Sequence, residues 1–286
     1  MKIIIEPDPD RYEYIEGFNE NCYLDRHTNT LIPECLMTEA IFHASNQFGK
    51  ESMHFLPPSI NDLRPYSQKR REAIAKQIET GVYQTPEEQA KAHAELDEKS
   101  PERNIAFLSV DICKSTTLRK QSPVLFDRSW EVFYQELATL VGQYNGAILK
   151  FTGDGFIAYM DYPAFTVQAD TIVALGLAML YHLETCVNPT LRENGLIELS
   201  IRVGMEFGAA KVSHINIPAI GKSQFDFVSD ALNCAVKIQE SCGANEIRIG
   251  QELRDLLHDR YLRRVDEVSF DSETVGVLGY KVYRMT

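Results

Sequence analysis

From Asn104 onward the chain divides into short blocks of distinct hydrophobic period. "IAFLSVDI" (105–112) is apolar without alternation, which predicts a central strand covered on both faces. Ser122-Pro123 places a capping residue before a proline suited to the first helical position. Trp130, Phe133, Leu137, Val141 and Tyr144 then recur at three- and four-residue steps, predicting a helix with one apolar face. "AILKFTGDGFIAYM" (147–160) reads as a hairpin, because two apolar runs flank a Gly-Asp-Gly tip. "FTVQADTIVALGLAMLYHLETC" is a helix apolar on nearly every side, with its most apolar run, 172–183, too short to span a bilayer. "IELSIRVGMEFGAAKV" alternates Leu199, Ile201, Val203, Met205 and Phe207 as a strand does. "DFVSDALNCAVKIQESC" is an amphipathic helix, followed by the strand "EIRIG" and the helix "QELRDLL". The order β-α-β-β-α-β-α-β predicts an α+β sandwich on a mainly antiparallel sheet.

Residues 1 to about 100 have another texture. Prolines cluster in "FLPPSINDLRPYSQ", and the charged stretch 67–104 predicts two surface helices broken at Gly81 and Pro86. The expected division is an N-terminal, partly helical extension over 1–100, of unknown role, and a functional domain over 101–286. Glu6, Asp8 and Asp10 sit beside prolines as a solvated turn does, and His43, His54 and His93 are too scattered to suggest a ligand set. A net charge of −12 argues against binding along a nucleic-acid backbone. Six cysteines without CxxC or zinc spacing suit free thiols in a reducing compartment. "MKIIIEPDPDRYEY" turns acidic too early for a signal peptide. The expectation is a cytoplasmic protein that uses neither a membrane nor nucleic acid.

The chemistry-bearing candidates are Asp111, at the end of the first strand, and Asp154, at the hairpin tip. Each alone is compatible with a purely structural role in a strand end or a turn. If the two strands are neighbours, both carboxylates project at one sheet edge, where they would need cations between them. Two aspartates without a nearby His or Cys favour Mg²⁺ or Mn²⁺, which also bind phosphate oxygens. Ile112–Thr116 offers backbone N–H groups as a polyphosphate cradle. Together these features match two-metal phosphoryl chemistry.

"FLSVDICKST", "LKFTGDGFIAYM", "IRVGMEFGAAKV" and "FDFVSDALNCAVKIQ" occur in the order found in class III nucleotidyl cyclases, and the chain resembles that family over about 102–260. The resemblance implies a ferredoxin-like catalytic domain, two divalent cations, and a head-to-tail homodimer with shared active sites. The implied reaction is attack of the ribose 3′-oxygen on the α-phosphate of a nucleoside triphosphate, giving a 3′,5′-cyclic nucleotide and pyrophosphate. It implies metal binding by Asp111, Ile112 and Asp154, with Lys114, Ser115 and Thr116 beside the substrate. Asn233 matches the family's helix Asn, and Lys237 stands where the transition-state Arg is usual. Lysine keeps the charge but lacks the planar fork, a loss of roughly 10²–10³ in rate if nothing replaces it.

Lys150 and Asp226 match the pair that reads adenine in adenylyl cyclases. One donor and one acceptor suit adenine, cytosine or uracil and disfavour guanine. The Lys that grips the triphosphate in many relatives is missing, with Val275 near its place, so Lys114, Lys222 or Arg202 must substitute. A stand-alone cyclase with these departures is most similar to the pyrimidine cyclases of bacterial Pycsar antiphage systems, which make cUMP or cCMP for a separate effector. The alternatives are an adenylate cyclase, a cyclase-fold nucleotide-binding module of little activity, and a palm-like nucleotidyltransferase.

Overall fold

The computed structural model describes residues 12–15, 22–25, 30–33, 58–60, 62–86, 102–161, 164–217, 219 and 222–286. They belong to two compact units, one within 1–57 and 162–165, the other within 58–161 and 166–286. The smaller unit contains β1 (Tyr12–Ile15), β2 (Cys22–Asp25) and β3 (Thr30–Pro33), an antiparallel sheet in sequential order. These strands are not legible in the sequence, because runs of four residues are too short to show a period. Glu6, Asp8, Asp10, His43, His54, His93 and the helix expected beyond Pro86 lie outside the described residues.

In the larger unit, α1 (Leu63–Thr80) comes first. The Asp62 side chain accepts the Arg64 N–H at its start, and Gly81 closes it in the left-handed region at φ 72°. This helix was expected at the surface, yet Tyr66, Ser67, Arg70, Ile74 and Gln77 form a buried face. This helix belongs to the compact unit that takes in residues from Pro58 onward.

The core follows as β4 (Glu102–Ile112), α2 (Ser115–Gln121), α3 (Pro123–Gln143), β5 (Ala147–Phe151), β6 (Gly155–Met160) and α4 (Phe165–His182). A π-helical turn (Leu183–Val187), α5 (Asn188–Glu193), β7 (Ile201–Ile217), β8 (Lys222–Val228), α6 (Asp230–Glu240) and β9 (Glu246–Gly250) continue it. It ends with α7 (Gln251–Asp255), α8 (Asp259–Leu262), β10 (Val265–Val268), a 3₁₀ turn (Ser272–Val275) and β11 (Val282–Met285). The sheet runs β10-β11-β9-β7-β4-β6-β5, with β8 paired to the far half of β7. Every pairing is antiparallel except β7 with β9. The expected α+β class is borne out.

β4 is central, and Ile105 to Val110 are buried without a break, as an apolar run lacking alternation requires. On one face of the sheet, Ile105, Phe107 and Ile157 pack with Phe227 of β8 and Ala231, Leu232 and Ala235 of α6. The helix comes so close that a Cβ at Gly204 would overlap the Gln239 nitrogen and the Ala235 carbonyl oxygen. Two expectations change. β8 was read as loop and helix start, but α6 begins only after Ser229, whose hydroxyl accepts the Leu232 N–H at 3.4 Å. The continuous helical run Phe165–Glu193 is long and apolar enough to cross a membrane, contrary to the shorter estimate. Its Ile172, Val173, Leu175 and Met179 are fully buried here, as in the core helix of a globular fold.

Candidate active site

The Gly-Asp-Gly tip has a separate use for each residue. Gly153 sits at φ 94°, where an L side chain is strained. Gly155 lies against β4 so closely that a Cβ would overlap the Val110 carbonyl oxygen. With Gly155 paired to Asp111, Asp154 is delivered beside the end of β4. The Asp154 carbonyl accepts the Ile112 N–H at 3.2 Å, and the two carboxyl groups meet. Burial pushes the Asp111 carboxyl up to about 6, the Arg202 hydrogen bond opposes this, and the neighbouring Asp154 charge adds to it. The hairpin aspartate is therefore no mere turn residue. It faces a second carboxylate, an arrangement that calls for positive charge.

Part of that charge is internal. Arg202 faces Asp111 across the β4–β7 register and donates from Nη2 to its carboxylate, while Ser115 donates its hydroxyl to Asp154. Neither contact was read from the sequence, since each joins residues at least 39 apart and no local period marks them. The Arg202 Nε is buried and lacks a protein partner among the described residues.

The expected N–H cradle is only partly available. The Ile112 N–H is committed to Asp154 and the Cys113 N–H to the Ser200 carbonyl at 2.8 Å. Lys114 is exposed with φ 56°, Ser115 is buried on Asp154, and Thr116 is exposed. Val275 lies in the 3₁₀ turn, and the Lys222 side chain falls outside the described residues.

Lys150 and Asp226, 76 residues apart, come together, with Nζ 2.6 Å from Oδ2. Lys150 pairs with Ile157, which also pairs with Ser109, two residues before Asp111. Lys150 and Asp111 therefore share one sheet face. Asp226 is neither a turn residue nor a helix cap; it lies within β8 opposite Ser213. Asn233 and Lys237 lie one turn apart on the exposed side of α6, and Lys237 pairs with Glu240 at 2.8 Å. Their helix buries Ala231, Leu232, Cys234, Ala235, Ile238 and Gln239 instead, so the two polar residues turn away from their own sheet.

Could this site hold divalent cations? Among the described residues no group of three His, Cys, Asp or Glu is arranged as a metal centre. The contact between Asp111 and Asp154 nonetheless supplies hard oxygen donors and a local excess of negative charge, which fits ions that complete their shell with water and phosphate oxygens. Cys113, Cys186, Cys234 and Cys242 are free thiols, and burial raises each, so none competes as a thiolate ligand.

The model of the adenylate and guanylate cyclase catalytic domain family matches residues 98–283. Among solved structures, the guanylyl cyclase Cya2 is similar at 21% identity and TM-score 0.55, covering 64% of this chain and 91% of that one. The adenylyl cyclase CyaB from P. aeruginosa is similar at 19% identity and TM-score 0.56, with 65% and 94% covered. The guanylate cyclase domain of RhGC from Catenaria anguillulae in complex with GTP is similar at 15% identity and TM-score 0.53, with 65% and 97% covered. No curated protein matches the chain significantly.

Proposed function

Because the chain belongs to the adenylate and guanylate cyclase catalytic domain family, we propose that it cyclises a pyrimidine nucleoside triphosphate, UTP or CTP, to cUMP or cCMP with release of pyrophosphate. Family membership makes it a nucleotidyl cyclase; the base is the further step. The observation that carries the cyclase part of this reading is that the Asp111–Asp154 pair and the Lys150–Asp226 pair both form, one suited to a polyphosphate with its cations and the other to a base edge.

Asp111 and Asp154, with the Ile112 backbone, would hold two Mg²⁺ or Mn²⁺ ions, which supply charge neutralisation at the phosphates. Arg202 already stands at Asp111 with a spare buried Nε, and is the best-placed candidate for the missing triphosphate lysine. Lys114, Ser115 and Thr116 border the same end, Ser115 by holding Asp154 and the other two from solvent. Asn233 and Lys237 face away from this sheet, so they serve the site of a second copy in a homodimer. The Lys237–Glu240 pair is exposed and costs little to break when a phosphate arrives.

Lys150 donates and Asp226 accepts, which meets adenine N1/N6 or cytosine N3/N4 directly, whereas uracil O4/N3–H and guanine O6/N1–H present one and the same pattern to the pair. Choice of a pyrimidine rests on the sequence resemblance to the Pycsar pyrimidine cyclases, and with it goes a cytoplasmic role in antiphage signalling through a separate cyclic-nucleotide-binding effector. The same ion pair supports a second reading, an adenylate cyclase, with Lys150 on adenine N1 and Asp226 on N6.

Incubation with all four nucleoside triphosphates and Mn²⁺, followed by mass spectrometry, tests both readings. cUMP or cCMP is expected, and Asp111→Ala should abolish it. Predominant cAMP would select the second reading. A linear product, or none above the Asp111→Ala background, would overturn the cyclase assignment.

A further inference from the structure

The hairpin tip that carries Asp154 is intrinsically soft. Phe151, Thr152 and Gly153 are exposed, two of the tip residues are glycines, and β5 is an edge strand. Something must hold Asp154 against Asp111, and two aromatic residues of α3 do so. Tyr134 Oη donates to the Gly155 carbonyl at 2.6 Å and also lies 3.0 Å from the Gly153 carbonyl. Trp130 Nε1 donates to the Gly153 carbonyl at 3.0 Å. A phenol has one proton, so the shorter contact takes it and the indole satisfies the other glycine. Both carbonyls flanking Asp154 are thus tied to one helix.

We propose that Tyr134 and Trp130 are positioning residues that fix the Asp154 carboxylate against Asp111 and so set the affinity of the site for its divalent cations. This rests on the two-metal reading of the site. Burial alone is a poor reason for these residues, since Trp130 keeps 36% of its surface exposed and Phe151, whose ring lies 5.2 Å from that of Tyr134 at a tilt of 54°, keeps 61%. The Trp130 and Tyr134 rings lie 4.6 Å apart on successive turns, so their polar ends reach the tip as a unit. Burial, then the charges of Asp154 and Asp111, pushes the phenol up to about 12, which keeps it a donor at neutral pH. The helix is anchored on another side by Glu136, which is fully buried with Arg70 and His182. The donors therefore stand on a fixed base.

The test is Mn²⁺ binding to the purified protein without nucleotide, read by electron paramagnetic resonance, beside the melting temperature. Tyr134→Phe keeps the ring and removes the donor. It should raise the Mn²⁺ dissociation constant about tenfold or more, as loss of a group supporting a metal ligand does, while melting shifts little. Tyr83→Phe removes a hydroxyl that contacts Thr139 of the same helix, and should leave Mn²⁺ affinity unchanged. Should Tyr134→Phe not fold, Trp130→Phe removes the other donor and carries the same expectation. Wild-type affinity in Tyr134→Phe, with Asp154→Ala still unable to bind, would overturn the proposal and leave the cyclase reading intact. Equal binding by wild type, Asp111→Ala and Asp154→Ala would remove the two-metal premise and the proposal with it.

Discussion

Glu206 is a carboxylate with no place in the chemistry above, yet it shapes how the protein responds to pH. It is 1% exposed on β7, its Oε1 accepts the N–H groups of Phe207 at 2.7 Å and Leu253 at 2.8 Å, and its Oε2 lacks a partner among the described residues. Burial is the main cause that pushes it up to about 8, against the hydrogen bonds. Between the ordinary value of 4.5 and 8, the unfolded chain has lost this proton and the folded chain keeps it. The stabilisation is full below 4.5 and disappears as pH rises through 8. Glu206→Gln should therefore melt higher than wild type at pH 8.5, by several degrees, and show no such advantage near pH 4.5. An equal melting difference at both pH values in a calorimeter would refute the titration. At this scale the sequence exposed the residues whose types announce chemistry, Asp111, Asp154, Lys150 and Asp226, and offered Ser115 and Arg202 only as phosphate-side candidates. It concealed the carboxylate contacts of those two and the whole role of Tyr134 and Trp130, because the partners lie between 19 and 91 residues away. Trp130 even read as part of the apolar face, although its indole serves the hairpin from the surface.

Among elements, α1 shows best how a charged segment can become core. Arg70 binds Glu136 of α3 through Nε at 3.0 Å and Nη2 at 2.5 Å, His182 of α4 contacts the same carboxylate at 3.0 Å, and Ser67 contacts the other ring nitrogen at 2.9 Å. Burial opposes ionisation of Glu136, but the hydrogen bonds from His182 and Arg70 win and hold it below the usual carboxylate value. Its stabilisation is present at neutral pH and is lost as the solution is acidified through that depressed value. Arg70→Ala leaves the carboxylate buried without its main counter-charge, so unfolding in urea should show a loss of about 3–5 kcal/mol. A loss below about 1 kcal/mol, the scale of an exposed pair, would mean that α1 is not docked as described. Hydrophobic periodicity missed this face because Arg70, Ser67 and Gln77 form much of it. It missed β8 for a related reason, since Phe227 is buried while Phe225, two residues earlier on the same face, is 41% exposed, and polar residues fill most other positions of the strand. The central strand, the hairpin and α3, α4 and α6 were legible because apolar residues fill or recur along them densely enough to show a period.

The whole molecule is asymmetric in what it offers a nucleotide. One chain presents the Asp111 and Asp154 carboxylates and the Lys150–Asp226 ion pair on its sheet, while Asn233 and Lys237 look outward from α6. If two copies exchange these groups, mixing Asp111→Ala with Asn233→Ala protein restores one intact site in each mixed dimer. Recovery of about a quarter of wild-type activity is expected from random pairing, measured as pyrophosphate release. No recovery, with mixed dimers demonstrated by mass, would sink the shared-site arrangement. Lys150 and Asp226 carry another consequence at this scale. They are also a clasp, tying the edge strand β5 to the far arm formed by β7 and β8. If the pair also reads the nucleobase as proposed, altering one partner to recode that choice would loosen the clasp, so a drift in selectivity and a drift in shape would arrive together unless both partners change at once.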